Sequence, residues 1–135
     1  MASTYGESAF GFEDLEVYKA AAHLRGRCYK LANAALPDDK RFALTQQIRR
    51  AAVSMANNIA EGYGRFTWQD TPHYCRQARG SLMELVDDMN VCVQQSSAEQ
   101  RHIDTLRQDS ACVLKLINGY IRYLQTSKAN GESDS

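Results

Sequence analysis

The sequence has no excess of either charge, because 16 lysine and arginine residues balance 16 aspartate and glutamate residues. This balance argues against nonspecific attraction of nucleic acid by the whole molecular surface. The sequence also lacks any uninterrupted apolar run of about 20 residues, the length that a membrane-spanning helix needs. Its first residues show neither a basic start nor an apolar core, so a secretory signal is not expected and we expect a cytoplasmic protein.

The sequence also has few of the residue patterns that enzymes use. Its four cysteines form no CxxC pair and show no metal-site spacing, and three of them fall on apolar helical stripes, where a reduced thiol behaves as a small hydrophobe: Cys28, Cys75 and Cys92. His73 and Cys75 stand two residues apart, so on a helix they point to different faces and do not form an activated nucleophile. We therefore expect no catalytic residues, no metal or cofactor site, and no enzymatic activity.

The most specific stretch of the sequence is LTQQIRRAAVSMANNIAEGYGR, residues 44–65. Its apolar residues recur in steps of four and three, which places them on one stripe of an α-helix: Leu44, Ile48, Ala51, Met55, Ile59 and Gly62. Arg49 and Arg50 point away from this stripe, and the glycines at 62 and 64 predict that the helix stops there. Asn57 and Asn58 are unfavourable inside a helix, so they either form contacts or belong to a solvated polar face.

Three other segments show the same helical periodicity. The first two predicted helices run from Asp14 to about Ala35 and from about Lys40 to Gly62. The third begins at the N-cap Thr67 and ends at a break over Gln94–Ser97, and a capping box at Ser97 and Gln100 opens the fourth. The apolar stripe of the first helix is Val17, Ala21, Leu24, Cys28, Leu31 and Ala35. That of the third helix is Cys75, Ala78, Leu82, Leu85, Met89 and Cys92. That of the fourth helix is Ile103, Leu106, Ser110, Val113, Ile117, Tyr120 and Leu124. Four such segments with short connections and no strand alternation predict an all-α, antiparallel, up-and-down four-helix bundle.

The bundle is expected to form one domain over residues 12–127. Residues 1–11 form a flexible N-terminal segment in this prediction, although Phe10 and Phe12 are able to dock on the bundle, and residues 128–135 form a disordered tail. Several apolar residues fall outside the main stripes: Val53, Val86, Val93, Leu114, Leu116, Ile121 and Tyr123. They form either a second apolar stripe that drives self-association or the margin of a wide core.

Positive charge is concentrated in residues 19–79, which carry eleven lysines and arginines against four acids. Arg76 and Arg79 share a helix face, and flat rings in the preceding loop and first turn, at Phe66, Trp68 and Tyr74, are suited to stacking on bases. The candidate nucleic-acid-binding residues are Arg41, Arg49, Arg50, Arg65, Trp68, Arg76 and Arg79. In the alternative interpretation, the aromatic residues pack the end of the bundle or a subunit joint and the arginines pair with acids of the next subunit.

Two carboxylates, Glu61 and Glu84, lie within the most recognisable motifs. A general acid–base pair needs two groups that converge on a substrate, and no nucleophile or metal site accompanies these two. We therefore expect each to form a structural ion pair with Arg49, Arg50 or Arg79 of an adjacent helix or subunit.

Three motifs in order carry a family resemblance: FEDLEVY at Phe12–Tyr18, LTQQIRRAAVSMANNIAEGYGR at 44–65, and ARGSLMEL at Ala78–Leu85. From about Phe12 to Leu124 the chain resembles the four-helix-bundle proteins first noted in intervening sequences of 23S ribosomal RNA genes. The resemblance implies a protomer that assembles into a ring-like homopentamer. A distant branch, the accessory proteins of diversity-generating retroelements, binds nucleic acid and a reverse transcriptase. Family members commonly have proline where this chain has Ala56, so a helix kink is not expected there.

Two hypotheses follow for the function. In the first, the protein is a non-enzymatic homo-oligomeric scaffold that binds RNA or DNA through its basic and aromatic surface, as the accessory of a reverse transcriptase if the distant resemblance holds. In the second, it is a structural or protein-interaction ring that does not bind nucleic acid and uses the arginines between subunits.

Overall fold

The computed structural model describes residues 8–34, 42–65, 67–95, 100–129 and 131. Within these residues it contains α-helices and no β-strand. The helices are α1 (Glu16–Ala34), α2 (Phe42–Arg65), α3 (Asp70–Gln95) and α4 (Gln100–Ala129), and a short 3-10 helix at Phe12–Asp14 precedes α1. Contacts between helices follow the cycle α1–α2–α3–α4–α1, and the contact between α2 and α3 is the most extensive. The predicted four-helix bundle is confirmed.

Hydrogen bonds between the helices show that α2 and α3, and likewise α3 and α4, run in opposite directions. The Thr71 hydroxyl at the start of α3 donates to the Gly62 carbonyl near the end of α2, at 2.8 Å. Further along, the hydroxyls of Ser54 and Ser81 share a hydrogen bond of 2.9 Å. A later residue of α2 thus meets an earlier residue of α3, which is an antiparallel arrangement. Helices α3 and α4 are related in the same way. Arg79, early in α3, bonds to Asn118, late in α4, and Asn90, late in α3, bonds to Arg107, early in α4.

Most of the core consists of predicted stripe residues, since each helix buries one apolar face, and neighbouring residues extend it: Tyr18, Ala32, Ala52 and Ala56. Two predicted stripe residues, Leu44 and Tyr120, are not fully buried. Leu44 is half-exposed and Thr45 is buried instead, which is tolerated because the Thr45 hydroxyl donates to the Phe42 carbonyl at 3.0 Å. Ile121, predicted to lie outside the stripe, is buried. Tyr120 is half-buried, and its ring stacks on that of Tyr123.

The glycines of α2 do not end the helix, which continues to Arg65. Gly62 is buried, and a Cβ atom added to it would lie 2.8 Å from the Cβ of Tyr74 and 3.2 Å from the Thr71 carbonyl oxygen. The predicted helix stop at residues 62 and 64 is therefore wrong, because Gly62 serves the close approach of α2 and α3 rather than a change of backbone direction. The helix also continues through Ala56, which is buried.

The ends of the helices agree in part with the predicted caps. The Thr67 hydroxyl accepts a hydrogen bond from the Asp70 N–H at 2.8 Å, which confirms Thr67 as the N-cap. Gly11, at φ 67°, turns the chain so that Phe12 packs edge to face on Tyr18, whereas Phe10 is 70% exposed. Helix α4 ends at Ala129, two residues beyond the expected domain limit. Ala35, the Ser97 capping box, and residues 1–7 and 132–135 of the two expected terminal segments lie outside the described residues.

Candidate functional site

The outer surface of α2 borders an open groove of about 1020 Å³, which we call the α2 groove. Phe12 and Tyr29 line it from the N-terminal segment and α1, and the other lining residues belong to α2, from Arg49 to Glu61. The groove is open because side chains such as those of Ser54 and Ala60 are small and lie between longer side chains of α2. These α2 residues face outward because the apolar stripe on the opposite side of the same helix is buried in the core.

Two of the predicted site residues, Arg49 and Arg50, lie together in the α2 groove. The Arg49 guanidinium lies over the ring of Tyr29, 5.6 Å from its centroid, in a cation–π contact. Arg50 is exposed and forms no ion pair with any other described residue. The groove therefore presents two positive charges without a direct acidic partner in the part of the chain that the structure describes.

The carboxylate that lines the groove, Glu61, is already paired. Arg65, one helical turn further along α2, donates to it at 2.9 Å, and this hydrogen bond raises the pKa of Arg65. The predicted partner of Glu61 was Arg49, Arg50 or Arg79 of an adjacent helix or subunit, whereas within the protomer Glu61 pairs with Arg65 of its own helix. Because α2 extends to Arg65, residues 61 and 65 stand four apart on one face, the spacing of an intrahelical ion pair. Arg65 also lies over the ring of Tyr74, 5.2 Å from its centroid.

The two asparagines of α2 also line the groove, and they differ in their contacts. The Asn58 amide nitrogen donates to the Ser54 carbonyl at 2.9 Å and approaches the Ser54 hydroxyl at 3.4 Å. A backbone carbonyl only accepts hydrogen bonds, so this contact determines which end of the amide faces the helix. Asn57 is exposed. The hydrogen-bonding interpretation thus holds for Asn58, and the solvated-face interpretation holds for Asn57.

Arg76 and Arg79 are not brought together at one site. The half-buried Arg79 donates to the Asn118 side-chain oxygen on α4 at 2.8 Å. Arg76 is exposed and borders a separate cavity of about 410 Å³, which His73 and Glu84 also line. Within the described residues Glu84 has no ion pair, so an arginine of another subunit as its partner stays a prediction.

The remaining predicted site residues lie away from the groove or cannot be placed. Trp68 is half-buried and packs against the core, as the alternative interpretation expected for an aromatic residue at the end of the bundle. Arg41 and Phe66 lie outside the described residues. Tyr29 was missed by the sequence analysis. It follows the core residue Cys28, and only the position of α2 beside α1 shows that its ring faces Arg49.

The three cysteines predicted to lie in the core are buried: Cys28, Cys75 and Cys92. Burial raises the pKa of Cys28 to about 12 and that of Cys75 to about 11, so both are thiols at neutral pH. His73 is exposed while Cys75 is buried, which confirms that they point to different sides of α3. The described residues contain no group of three or more His, Cys, Asp or Glu positioned to hold a metal ion. None of the helices, as far as they are described, is both long and apolar enough to cross a membrane.

A family model described as the 23S rRNA-intervening sequence protein matches residues 13–119. This range includes most of each of the four helices and the whole of the α2 part of the groove. Among curated proteins, none matches the sequence significantly. The family match covers well over half of the chain, and the chain therefore belongs to the family of 23S rRNA-intervening sequence proteins.

Proposed function

We propose that this protein is a non-enzymatic homo-oligomeric scaffold that binds RNA or DNA along the α2 groove. The observation that supports this proposal is the charge of the groove. Arg49 and Arg50 line it, and Arg65 already neutralises the neighbouring carboxylate of Glu61. The phosphate backbone of a nucleic acid supplies the negative charge that such a surface attracts.

The groove residues are chemically suited to nucleic acid. Arginine presents several N–H donors in a planar fork, and this fork matches two oxygens of a phosphate group. The ring of Tyr29 beside Arg49 adds a flat surface for a base. Participation of the other predicted residues remains part of the proposal: Arg41, Arg65, Trp68, Arg76 and Arg79.

One protomer contributes only a few phosphate contacts, so the proposal includes self-association. Leu116 and Tyr123 of α4 are 37% and 60% exposed and stand seven residues apart, on one face of the helix. Large apolar side chains exposed along one helix face are typical of a surface that another protein covers. A ring repeats the groove in each protomer, and linked sites bind a long polyanion more tightly than isolated ones.

The ring is proposed to be a homopentamer, as the resemblance implies, with a mass of five times 15.2 kDa. Light scattering on the purified protein measures this mass directly. The distant resemblance to retroelement accessory proteins extends the proposal to a reverse transcriptase that receives the bound nucleic acid. Copurification of the two proteins, with and without nuclease treatment, distinguishes a direct contact from tethering through nucleic acid.

The groove is tested with a charge reversal, Arg49→Glu combined with Arg50→Glu. Fluorescence anisotropy with labelled single-stranded and double-stranded RNA and DNA at low salt is expected to show at least a tenfold loss of affinity. Arg101→Glu combined with Lys128→Glu, at two exposed positions of α4 that are not among the predicted site residues, is the comparison. If it weakens binding equally, the binding surface is not confined to the groove.

A wild-type protein that forms the expected oligomer but binds none of the four nucleic acids at low salt overturns the proposal. That result favours the alternative of a structural or protein-interaction ring, for which the exposed Leu116 and Tyr123 are the supporting observation. Light scattering on each variant separates loss of binding from loss of assembly.

A further inference from the structure

We propose that the α2 groove takes unpaired nucleotides and contacts their bases, in preference to a base-paired duplex. This inference rests on the proposed function, since it concerns the same groove. It depends on three features that a purely electrostatic surface does not need: an amide of fixed orientation, an accessible aromatic ring and an arginine beside that ring.

The fixed amide is that of Asn58. Both contacts of its amide nitrogen are with Ser54, the carbonyl at 2.9 Å and the hydroxyl at 3.4 Å. The donor end of the amide is therefore occupied within α2, and the side-chain oxygen of Asn58 remains as an acceptor beside the groove that this residue lines.

An acceptor held in this way selects the chemistry of the ligand. Phosphate oxygens also accept hydrogen bonds, so the Asn58 oxygen forms no hydrogen bond with them. Nucleobases carry amino and imino N–H groups, which donate. These groups are engaged in pairing within a duplex, and in A-form RNA the deep, narrow major groove keeps side chains from the base edges there. An unpaired base has its N–H groups free to reach the Asn58 oxygen.

The ring of Tyr29 supplies the second contact for a base. The residue is 37% exposed, and the Arg49 guanidinium lies over one face of the ring, 5.6 Å from its centroid, so a base stacks on the other face or on the guanidinium plane itself. Base stacking on aromatic side chains requires that the base has left its own stack, which is the usual condition of single-stranded sites. Arg49 and Arg50 both line the groove, so their guanidinium groups are available for the phosphates of the bound strand.

The dimensions of the groove agree with a short single strand. From Arg49 to Glu61 the groove extends twelve residues along α2, roughly 18 Å at 1.5 Å per helical residue. Its volume of about 1020 Å³ equals that of a large small-molecule pocket, so bases have room to enter it. A few unpaired nucleotides therefore occupy the groove of one protomer.

The test uses the full-length protein and three labelled probes of about 12 residues: a single-stranded RNA of mixed sequence, the same strand annealed to its complement, and an abasic strand with equal phosphate number. The single strand is expected to bind at least tenfold more tightly than either the duplex or the abasic strand. Asn58→Ala is expected to reduce this preference severalfold and to leave binding of the abasic strand unchanged.

Asn33→Ala removes an exposed amide from α1 outside the groove and serves as the matched control. Tyr29→Leu provides a second variant, which is expected to weaken binding of the single strand but not of the abasic strand. It keeps the inference testable if Asn58→Ala fails to fold. Equal or tighter binding of the duplex overturns this inference and leaves the proposed function standing. Absence of binding to all three probes overturns the proposed function itself.

Discussion

Gly62 of α2 and Tyr74 of α3 meet so closely that no side chain fits between them. A Cβ atom on residue 62 would lie 2.8 Å from the Tyr74 Cβ, closer than side-chain carbons approach in folded proteins. The Thr71 hydroxyl bonds the Gly62 carbonyl in the same region, so the start of α3 is fixed against the end of α2. This contact positions Tyr74, on whose ring Arg65 lies.

Replacing Gly62 by alanine is expected to lower the free energy of unfolding by about 1 to 3 kcal/mol, because the new methyl group forces α2 and α3 apart. Urea denaturation measures the change. Gly80→Ala is the matched control, since residue 80 is a helical glycine with no atom within 4 Å of an added Cβ. There the better helix propensity of alanine is expected to raise stability by up to about 1 kcal/mol. Similar stabilisation by both substitutions would show that the contact at Gly62 is not tight.

Arg79→Ala is expected to lower the free energy of unfolding by about 1 kcal/mol, since it removes the half-buried hydrogen bond to Asn118 between α3 and α4. Arg76→Ala is expected to change stability by about 0.5 kcal/mol or less, because Arg76 is exposed. Thermal unfolding of both variants under one condition provides the measurement. Equal effects would mean that the two arginines have equivalent environments, contrary to the structure.

Asp88→Asn is expected to stabilise the protein at neutral pH. Partial burial, together with the charges of Glu84 and Asp87, raises the pKa of Asp88 above its ordinary 3.8. A raised folded-state pKa means that the folded protein holds this proton more tightly than the unfolded chain. The contribution of Asp88 to stability is therefore fully present below pH 3.8 and is lost as the pH rises through the folded-state pKa.

The expected gain from Asp88→Asn at pH 7 is about 0.2 to 0.5 kcal/mol, the size of one like-charge pair at i, i+4 on a helix. Denaturation of wild type and variant at pH 7 and pH 3.5 measures it. The gain should shrink at the lower pH, where Asp88 is mostly protonated in both states. A gain of the same size at both pH values would mean that the carboxylate charge is not its cause.

Leu116→Glu combined with Tyr123→Glu is expected to convert the proposed oligomer to protomers of 15.2 kDa, because it places two carboxylates on the exposed apolar face of α4. Gln108→Glu with Thr126→Glu adds the same charge at two other exposed positions of α4 and should leave the oligomer intact. Light scattering gives both masses. An unchanged oligomer in the first variant would place the subunit interface elsewhere.

The helices and the core were largely predictable, because the stripe of one helix follows from the spacing of its own apolar residues. Errors arose where the outcome depended on a second helix. A glycine at position 62, after a run of helical periodicity, is typical of a helix end. Only the proximity of Tyr74 shows that Gly62 instead allows close packing of α2 against α3. The wrong helix end then hid the ion pair between Glu61 and Arg65.

The candidate site was predictable only in part for the same reason. Arg49 and Arg50 were placed on the outer face of α2 from periodicity alone, as the structure confirms. The separation of Arg76 from Arg79 depends on α4, which supplies Asn118. The role of Tyr29 depends on the side of α1 that faces α2, and helical spacing alone does not give this relationship.

The salt dependence of RNA binding tests the central claim most directly. For one single-stranded RNA, the slope of log affinity against log salt concentration is measured for the wild type and for Arg50→Ala. If Arg50 contacts a phosphate in the α2 groove, the variant binds more weakly and its slope is smaller by about one for each occupied groove. An unchanged slope together with unchanged affinity would contradict the assignment of the α2 groove as the nucleic-acid site.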